Sequence, residues 1–175
     1  MNYIEEYRQI HAANPNYGQG SGAKVREAIA RLWGPGPSSV LDFGCGRSRM
    51  IFDIWPEAAV YWRYDPAIPA FSSMPPPPEV LTFGAGLCTD VLEHLPEETL
   101  HLSLSRLRRW SADWCFIICT RPAGQKLSDG SNAHCTVRPA EWWLELLQQF
   151  WPEACRVDLP LPADRPGFFT FPPRV

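Results

Sequence analysis

Apolar residues recur every three or four positions in several segments of the chain, which is the spacing of an amphipathic helix. The pattern predicts helices over about 22–33, 96–110 and 139–150, and a further helix is expected over 47–55, before Pro56. The apolar positions that carry the pattern are Val25, Ala28, Ile29, Leu32, Leu100, Leu104, Leu107, Trp143, Leu146, Leu147 and Phe150.

Other segments are continuously apolar or rich in β-branched and aromatic residues, which predicts strands. These segments lie at 40–43, 59–65 and 114–120, and two more extended pieces follow at 155–159 and 167–171. Because helices alternate with strands, we expect an α/β fold with a mainly parallel sheet and helices on both faces. The last two pieces are expected to close the sheet as a terminal antiparallel pair.

The first strand leads into a turn that contains Asp42, Gly44 and Gly46. Glycines can adopt positive φ and carry no Cβ, so a backbone built from them can approach a ligand closely. A helix that starts at Arg47 would also point its first amide N–H groups at the bound molecule. The turn therefore predicts a site for a nucleotide-like cofactor. A dinucleotide fingerprint would require a third glycine where the chain has Arg49.

The Asp42-x-Gly44-x-Gly46 pattern resembles the first motif of the class I S-adenosylmethionine (SAM)-dependent methyltransferases, with Ser48 in place of a last glycine. The resemblance implies a Rossmann-like fold and SAM as cofactor. It also implies that Asp42, Gly44, Cys45 and Gly46 contact the cofactor.

A second acid, Asp65, ends the 59–65 strand about 20 residues after the glycines. In a Rossmann-like sheet an acid at this place accepts hydrogen bonds from ribose hydroxyls. The alternative is a surface acid that opens a turn before Pro66.

The run from Leu87 to Pro96 resembles the fourth-strand segment of these methyltransferases, in which an Asp-Val-Leu-Glu-His string follows the strand. The resemblance places Asp90 at the cofactor and both Asp90 and His94 beside the transferred methyl group. Glu93 is expected to open the next helix, where the helix dipole favours an acid. The alternative for His94 is that it also only opens this helix.

Only some twenty residues separate Asp65 from Leu87, and they include four consecutive prolines at 75–78. Prolines cannot supply the hydrogen bonds of a helix interior or a central strand. We therefore expect the sheet to be reduced around the third strand of the family. The family's acid after that strand has no counterpart, so backbone and apolar groups of residues 70–86 are expected to contact adenine.

Two flanking segments are expected to form the acceptor pocket. Residues 1–21 form an N-terminal lid segment before a core of 22–175, with Tyr3, Tyr7 and His11 on one helical face. Alternatively, these rings pack on the core with their polar tips in water. Tyr17 follows them as a predicted acceptor contact.

The turn-rich segment after the 114–120 strand carries polar residues that are not expected in a protein core, which makes them candidates for contact with the acceptor. They are Arg121, Asn132, His134 and Arg138. Arg121 or Arg138 could clamp an anionic acceptor through its planar guanidinium group. His94 and His134 are the candidate bases, because imidazole accepts protons near neutral pH.

Composition and net charge indicate which classes of ligand and partner the protein is expected to bind. The chain has 175 residues, of which 45% are hydrophobic and 20% charged, typical of one globular domain. Its net charge of −3 disfavours binding to duplex nucleic acid, so we expect a small-molecule or modified-nucleotide acceptor. Six cysteines without C-x-x-C spacing favour free thiols and no metal site.

We expect a soluble, cytoplasmic protein, because the chain has neither a span-length apolar run nor the charge pattern of a signal peptide. The expected activity is methyl transfer from SAM. The alternative is a non-catalytic protein of the same fold that binds SAM or has lost it and acts as a partner or regulatory subunit.

Overall fold

The computed structural model describes residues 3–174, which form one six-stranded sheet with helices on both faces. The helices are α1 (Tyr3–Ala13), α2 (Ala23–Trp33), α3 (Met50–Ile54), α4 (Glu97–Trp110) and α5 (Ala140–Gln148). The strands are β1 (Ser39–Phe43), β2 (Val60–Tyr64), β3 (Ala85–Thr89), β4 (Trp114–Ile117), β5 (Cys155–Val157) and β6 (Gly167–Phe169). Two 3₁₀ turns, Pro69–Phe71 and Leu92–His94, complete the regular elements.

The strand order is β2-β1-β3-β4-β6-β5. The first four strands run parallel, β6 is antiparallel to β4, and β5 is antiparallel to β6. At the centre, Leu41 of β1 lies between Trp62 of β2 and Gly86 of β3. The predicted α/β fold, with its mainly parallel sheet and terminal antiparallel pair, is confirmed.

The sheet is reduced where the sequence indicates. Within the described part of the chain, the segment between β2 and β3 contributes one 3₁₀ turn and no strand. The four prolines are held as a loop against α4, where the Trp110 indole N–H donates to the Pro76 carbonyl (2.9 Å). Strand β2 forms one edge of the sheet, and β3 pairs with β1 on its other side.

The core has two halves, one on each face of the sheet. Side chains alternate between the faces along a strand, so Val40 packs beneath α2 and α3 while its neighbour Leu41 packs beneath α4 and α5. Strand β4 is buried on both faces, as its uninterrupted apolar sequence predicts. Cys45, Cys88, Cys115 and Cys119 are buried free thiols.

Helix α3 is shorter than predicted and begins at Met50 instead of Arg47. The residues before it are engaged elsewhere: the Arg47 amide donates to the Gly18 carbonyl (2.8 Å), and the Ser48 hydroxyl accepts from the Met50 amide (3.1 Å). A contact from the N-terminal segment thus delays the helix by one turn.

None of the helices within residues 3–174 has the length and apolar character needed to cross a membrane.

Candidate functional site

A cavity of about 740 Å³ opens at the carboxyl ends of the parallel strands. Parallel α/β sheets bind ligands at this edge because the strand-to-helix loops diverge there. Its wall is formed by α1 and the loop after it, the glycine turn after β1, the ends of β2 and β3, and parts of the segment from Cys119 to His134.

The glycine turn lines the cavity with Gly44, Cys45 and Gly46. Both glycines have positive φ, 72° and 52°, which side-chain-bearing residues rarely adopt. A Cβ added to Gly44 would overlap the Val91 side chain, and one added to Gly46 would lie 2.8 Å from the carbonyl oxygen of Gly18. Protein packing therefore requires glycine at both positions.

The amides of this turn bond within the protein. Gly44 and Cys45 both donate to the Tyr64 carbonyl (2.8 and 3.0 Å), and Gly46 donates to the Asp65 carboxylate (2.9 Å). The helix also starts too late for its first amides to face the turn. The turn therefore offers a ligand close approach of the backbone, without free amide donors from Gly44, Cys45 and Gly46.

Asp65 lies on the cavity wall at the end of β2 and is 8% exposed. One carboxylate oxygen accepts from Gly46 N–H and the other from Ala67 N–H, both at 2.9 Å. A carboxylate oxygen has two lone pairs, so each retains capacity for a ligand hydroxyl. The backbone bonds hold Asp65 in place as a preformed acceptor.

Asp42 occupies a different place from the one predicted, because it is buried in β1 beneath the turn and is absent from the cavity wall. Its Oδ2 has no hydrogen-bond partner among residues 3–174. Burial raises the pKa of this carboxyl to about 7, against the opposing effect of the nearby Arg63 guanidinium. Asp42 is therefore a buried side chain that does not reach the cavity wall.

Asp90 lines the cavity after β3, paired with Arg165, which no sequence pattern indicates as a site residue. Arg165 donates through Nε to Asp90 Oδ1 (3.0 Å), and its second guanidinium nitrogen contacts Oδ2. Asp90 has a φ of 55°, so its backbone is in the left-handed region. The two residues are 75 positions apart, and no local sequence signal connects them.

His94 and His134 meet on the cavity wall, with ring centroids 4.6 Å apart. His94 Nδ1 lies 2.9 Å from the Ala133 carbonyl and 2.8 Å from the Tyr7 hydroxyl. Burial, and secondarily the neighbouring His134, lower the pKa of His94 to about 4. His94 is therefore a neutral imidazole at pH 7.

His134 Nδ1 lies 2.6 Å from the Arg121 carbonyl oxygen. A carbonyl only accepts, so the hydrogen of the neutral ring is assigned to Nδ1, which leaves a lone pair on Nε2. His134 is accordingly oriented as an acceptor through Nε2.

Glu93 does not open a helix as predicted. It lies in the 3₁₀ turn between β3 and α4 with no exposed surface, and its Oε1 accepts from the Cys119 amide (2.9 Å). Burial, and secondarily the nearby Asp90 carboxylate, raise its pKa to about 8. Local sequence could not reveal this, because its partner comes from the end of β4.

Of the predicted acceptor contacts, Tyr17 and Arg121 line the cavity, and Arg121 pairs with Asp164 (2.6 Å). Asn132 instead braces its own loop, where its Oδ1 accepts from the amides of Ala123 and His134 (both 2.9 Å).

Arg138 also lies away from the cavity. It donates two hydrogen bonds to Glu97 (3.0 and 2.7 Å) and borders a separate open depression of about 490 Å³. Residues 70–86, expected to contact adenine, do not line the cavity either. Phe43, Tyr64, Pro66 and Ala67 occupy the wall next to Asp65.

Helix α1 lies along the cavity, with Tyr3, Tyr7 and His11 on its wall. Tyr7 donates to the Ala133 carbonyl (2.9 Å), and Glu6 accepts from the Ser128 amide (2.9 Å). The N-terminal segment therefore bonds to the same loop that carries His134.

No protein-family model matches the sequence, and a search of curated proteins found no significant match. Solved structures do match the fold. One is 1,6-didemethyltoxoflavin-N1-methyltransferase of Burkholderia thailandensis, solved with 1,6-didemethyltoxoflavin and S-adenosylhomocysteine (SAH). It is 18% identical with a TM-score of 0.62, over 95% of this chain and 86% of that one.

The N-methyltransferase NodS of Bradyrhizobium japonicum WM9, solved with SAH, is 13% identical with a TM-score of 0.57, over 96% of each chain. The small RNA methyltransferase HEN1 is 10% identical with a TM-score of 0.60, over 87% of this chain and 25% of that one. The chain therefore has the fold of SAM-dependent methyltransferases.

Proposed function

We propose that the protein is a SAM-dependent methyltransferase whose acceptor is a small molecule or a modified nucleotide. The observation that carries this proposal is the single cavity that gathers the glycine turn and Asp65 together with Tyr7, His94 and His134. The fold shared with methyltransferases solved with SAH supports the cofactor.

The cavity suits the cofactor in size and chemistry. Its volume of about 740 Å³ falls within the range of roughly 300–1,000 Å³ typical of small-molecule sites. Gly44, Cys45 and Gly46 offer a wall without bulky side chains, and Asp65 has free lone pairs for ribose hydroxyls. Phe43 and Tyr64, whose ring centroids are 5.2 Å apart, provide an apolar surface for adenine beside Asp65.

The Asp90–Arg165 pair suits the amino-acid end of the cofactor. Both residues line the cavity, and they present a carboxylate and a guanidinium group side by side. An amino acid carries the same two charges in reverse, so Asp90 would bind its ammonium group and Arg165 its carboxylate. We assign Asp90 to binding, because both of its carboxylate oxygens are held by Arg165.

Bound SAM supplies a methyl group already activated by its sulfonium sulfur. The protein must then align the acceptor, exclude water and, where the acceptor atom carries a proton, accept that proton. His134 lies on the cavity wall and, with Nδ1 bonded to the Arg121 carbonyl, has its lone pair on Nε2. His94 is neutral and positioned by Ala133 and Tyr7. Arg121 could orient an anionic acceptor at the same end of the cavity.

The alternative is a protein of this fold that binds the cofactor without catalysis. One observation favours it: the turn amides bond within the protein, so the cofactor would have fewer backbone donors than the sequence pattern suggests. Under this alternative the imidazole pair would only brace the loop against α1.

Calorimetry with SAH tests the cofactor site. We expect one molecule of SAH per chain, and Asp65→Asn should weaken binding about tenfold or more, since hydrogen bonds to charged groups contribute about 1.5–3 kcal/mol. Asp158→Asn, at an exposed acid remote from the cavity, is the control. Absence of SAH binding by the folded wild-type protein would overturn the proposal.

A second experiment separates enzyme from binder. The protein is incubated with SAM labelled in its methyl group and with metabolite or RNA mixtures. Transfer of label that is lost in a His94→Asn/His134→Asn variant supports catalysis. SAH binding without transfer to any fraction supports the non-catalytic alternative.

A further inference from the structure

Three donor side chains of different chemistry converge at one end of the cavity. Glu93, Cys119 and His134 come from three separate segments, yet one ligand atom of each lies within 4.8 Å of the others. Cys119 and His134 line the cavity, and Glu93 is buried behind them. The fold therefore assembles a cluster that the sequence spacing does not reveal.

Glu93 is held with one oxygen unused. Its Oε1 accepts from the Cys119 amide (2.9 Å), whereas Oε2 has no hydrogen-bond partner anywhere in the described range 3–174. A buried carboxylate oxygen without a partner is costly, because nothing replaces its lost hydration. Asp90 is nearby but is paired with Arg165, so the unpartnered oxygen of Glu93 is the feature that favours a cation at this place.

His134 has a hydrogen-bond partner of the kind that metal-bound histidines have. Histidine ligands commonly donate one ring N–H to a backbone carbonyl, which fixes the ring and leaves the other nitrogen for the metal. His134 Nδ1 makes this bond to the Arg121 carbonyl (2.6 Å). Asn132 Oδ1 fixes the backbone by accepting from the His134 amide (2.9 Å).

We propose that Glu93, Cys119 and His134 bind one Zn²⁺ ion. Oxygen, sulfur and nitrogen are the three donor types that Zn²⁺ takes from proteins, whereas a thiolate disfavours Mg²⁺ and Ca²⁺. Zinc bond lengths in a tetrahedron place ligand atoms about 3.5 Å apart. The three ligand atoms here lie within 4.8 Å of one another, so side-chain movements of about 1 Å would bring them to zinc-binding distances.

Three protein ligands leave a fourth position open, as in catalytic zinc sites. Because Cys119 and His134 line the cavity, this position is available to an acceptor oxygen or nitrogen, or to water. With the ion bound, His134 is a ligand and no longer a base, which leaves His94 as the free imidazole. Zinc binding does not rest on the methyl-transfer proposal.

The test is direct metal binding by the full chain. The untagged protein is stripped with a chelator, dialysed and titrated with ZnCl₂ by calorimetry, and bound zinc is counted by mass spectrometry of the element. We expect one ion per chain, with affinity at least about a hundredfold lower in Cys119→Ser and in His134→Asn. Cys135→Ser and His101→Asn, which alter exposed residues outside the cluster, should change the affinity less than about twofold.

Cobalt loading tests the site in the wild-type protein, so the result does not depend on whether a variant folds. A Co²⁺–thiolate charge-transfer absorption is expected in the wild type and in Cys135→Ser. Folded wild-type protein that binds no stoichiometric zinc, or that shows no thiolate band with cobalt, would overturn the proposal. Equal zinc affinity in Cys119→Ser would do the same. SAH titration of the stripped protein tests the cofactor site separately.

Discussion

At the scale of the residue, burial determines the properties of the charged groups around the cavity. Asp42 and Glu93 both lie in apolar surroundings, and each keeps one carboxylate oxygen without a partner within residues 3–174. Asp65 differs because two backbone amides engage it. These three acids thus have two kinds of environment, and of the three only Asp65 is preformed for neutral hydrogen-bonding ligands.

Asp42 should make the protein less stable as the pH rises. The pKa of Asp42 is about 7 in the folded chain, compared with 3.8 for an aspartate that the fold does not perturb, as in the unfolded chain. Between these values the folded state holds a proton that the unfolded state has lost, so the free energy of unfolding falls with pH. Each pKa unit corresponds to about 1.4 kcal/mol, so the loss between pH 5 and pH 7 is about 2–3 kcal/mol.

Asp42→Asn removes the titrating carboxyl group. The free energy of unfolding of this variant should therefore fall less between pH 5 and pH 7 than that of the wild type. Denaturant unfolding of both proteins at pH 5, 6, 7 and 8 measures it, with the exposed Asp158→Asn as control. Stability curves of wild type and Asp42→Asn that run parallel across this range would show that Asp42 is ionised in the fold.

At the scale of the element, the long helices agree with the sequence because each carries an apolar stripe that packs on the sheet. Helices α2, α4 and α5 lie within about two residues of their predicted bounds. Helix α3 does not, because Gly18 accepts from the Arg47 amide. Periodicity is a local signal, and it could not show a contact made by the loop after α1.

Gly86 illustrates a packing requirement inside a strand. A Cβ at this position would overlap the ring of Trp114, which is fully buried on β4. Gly86→Ala should lower the free energy of unfolding by about 1–3 kcal/mol, the usual cost of overpacking. Gly124→Ala is the matched control, since its Cβ would meet nothing within 4 Å. Equal denaturation midpoints for the two variants would contradict this account.

Helix α1 should be the least stable helix in the fold. His11 is its one buried residue among Tyr3–Ala13, and side-chain hydrogen bonds from Tyr7 and Glu6 tie it to the loop near His134. Tyr7→Phe removes a hydroxyl that bonds to Ala133, so it should cost about 1 kcal/mol and speed amide hydrogen exchange across α1.

Tyr3→Phe alters the same face of α1 at an exposed ring and serves as the control. Hydrogen exchange of residues 3–13, followed by mass spectrometry, measures the effect. Unchanged exchange in Tyr7→Phe would mean that packing, and not this hydroxyl, holds the helix.

At the scale of the whole molecule, the sequence predicts which strand ends meet but not how the cavity is closed. Gly44, Gly46, Asp65 and Asp90 follow parallel strands, so their common edge could be deduced from topology. Arg165 could not be deduced, because it precedes the antiparallel β6 and reaches the edge only through tertiary folding. The convergence of Glu93, Cys119 and His134 has the same origin.

The closed arrangement leads to a prediction for the whole chain. Since α1, the glycine turn and the Cys119–His134 segment share one cavity, a ligand there should stabilise all three together. At a concentration one hundred times its Kd, SAH should add about 2.7 kcal/mol, which corresponds to a rise in Tm of about 5–11 °C for a domain of this size. Thermal unfolding with and without SAH measures the rise, and hydrogen exchange shows where protection appears. Slower exchange in both α1 and the loop before His134 is expected. If protection were confined to the glycine turn and β2, then SAH would bind without engaging the N-terminal segment, and α1 would not act as a lid.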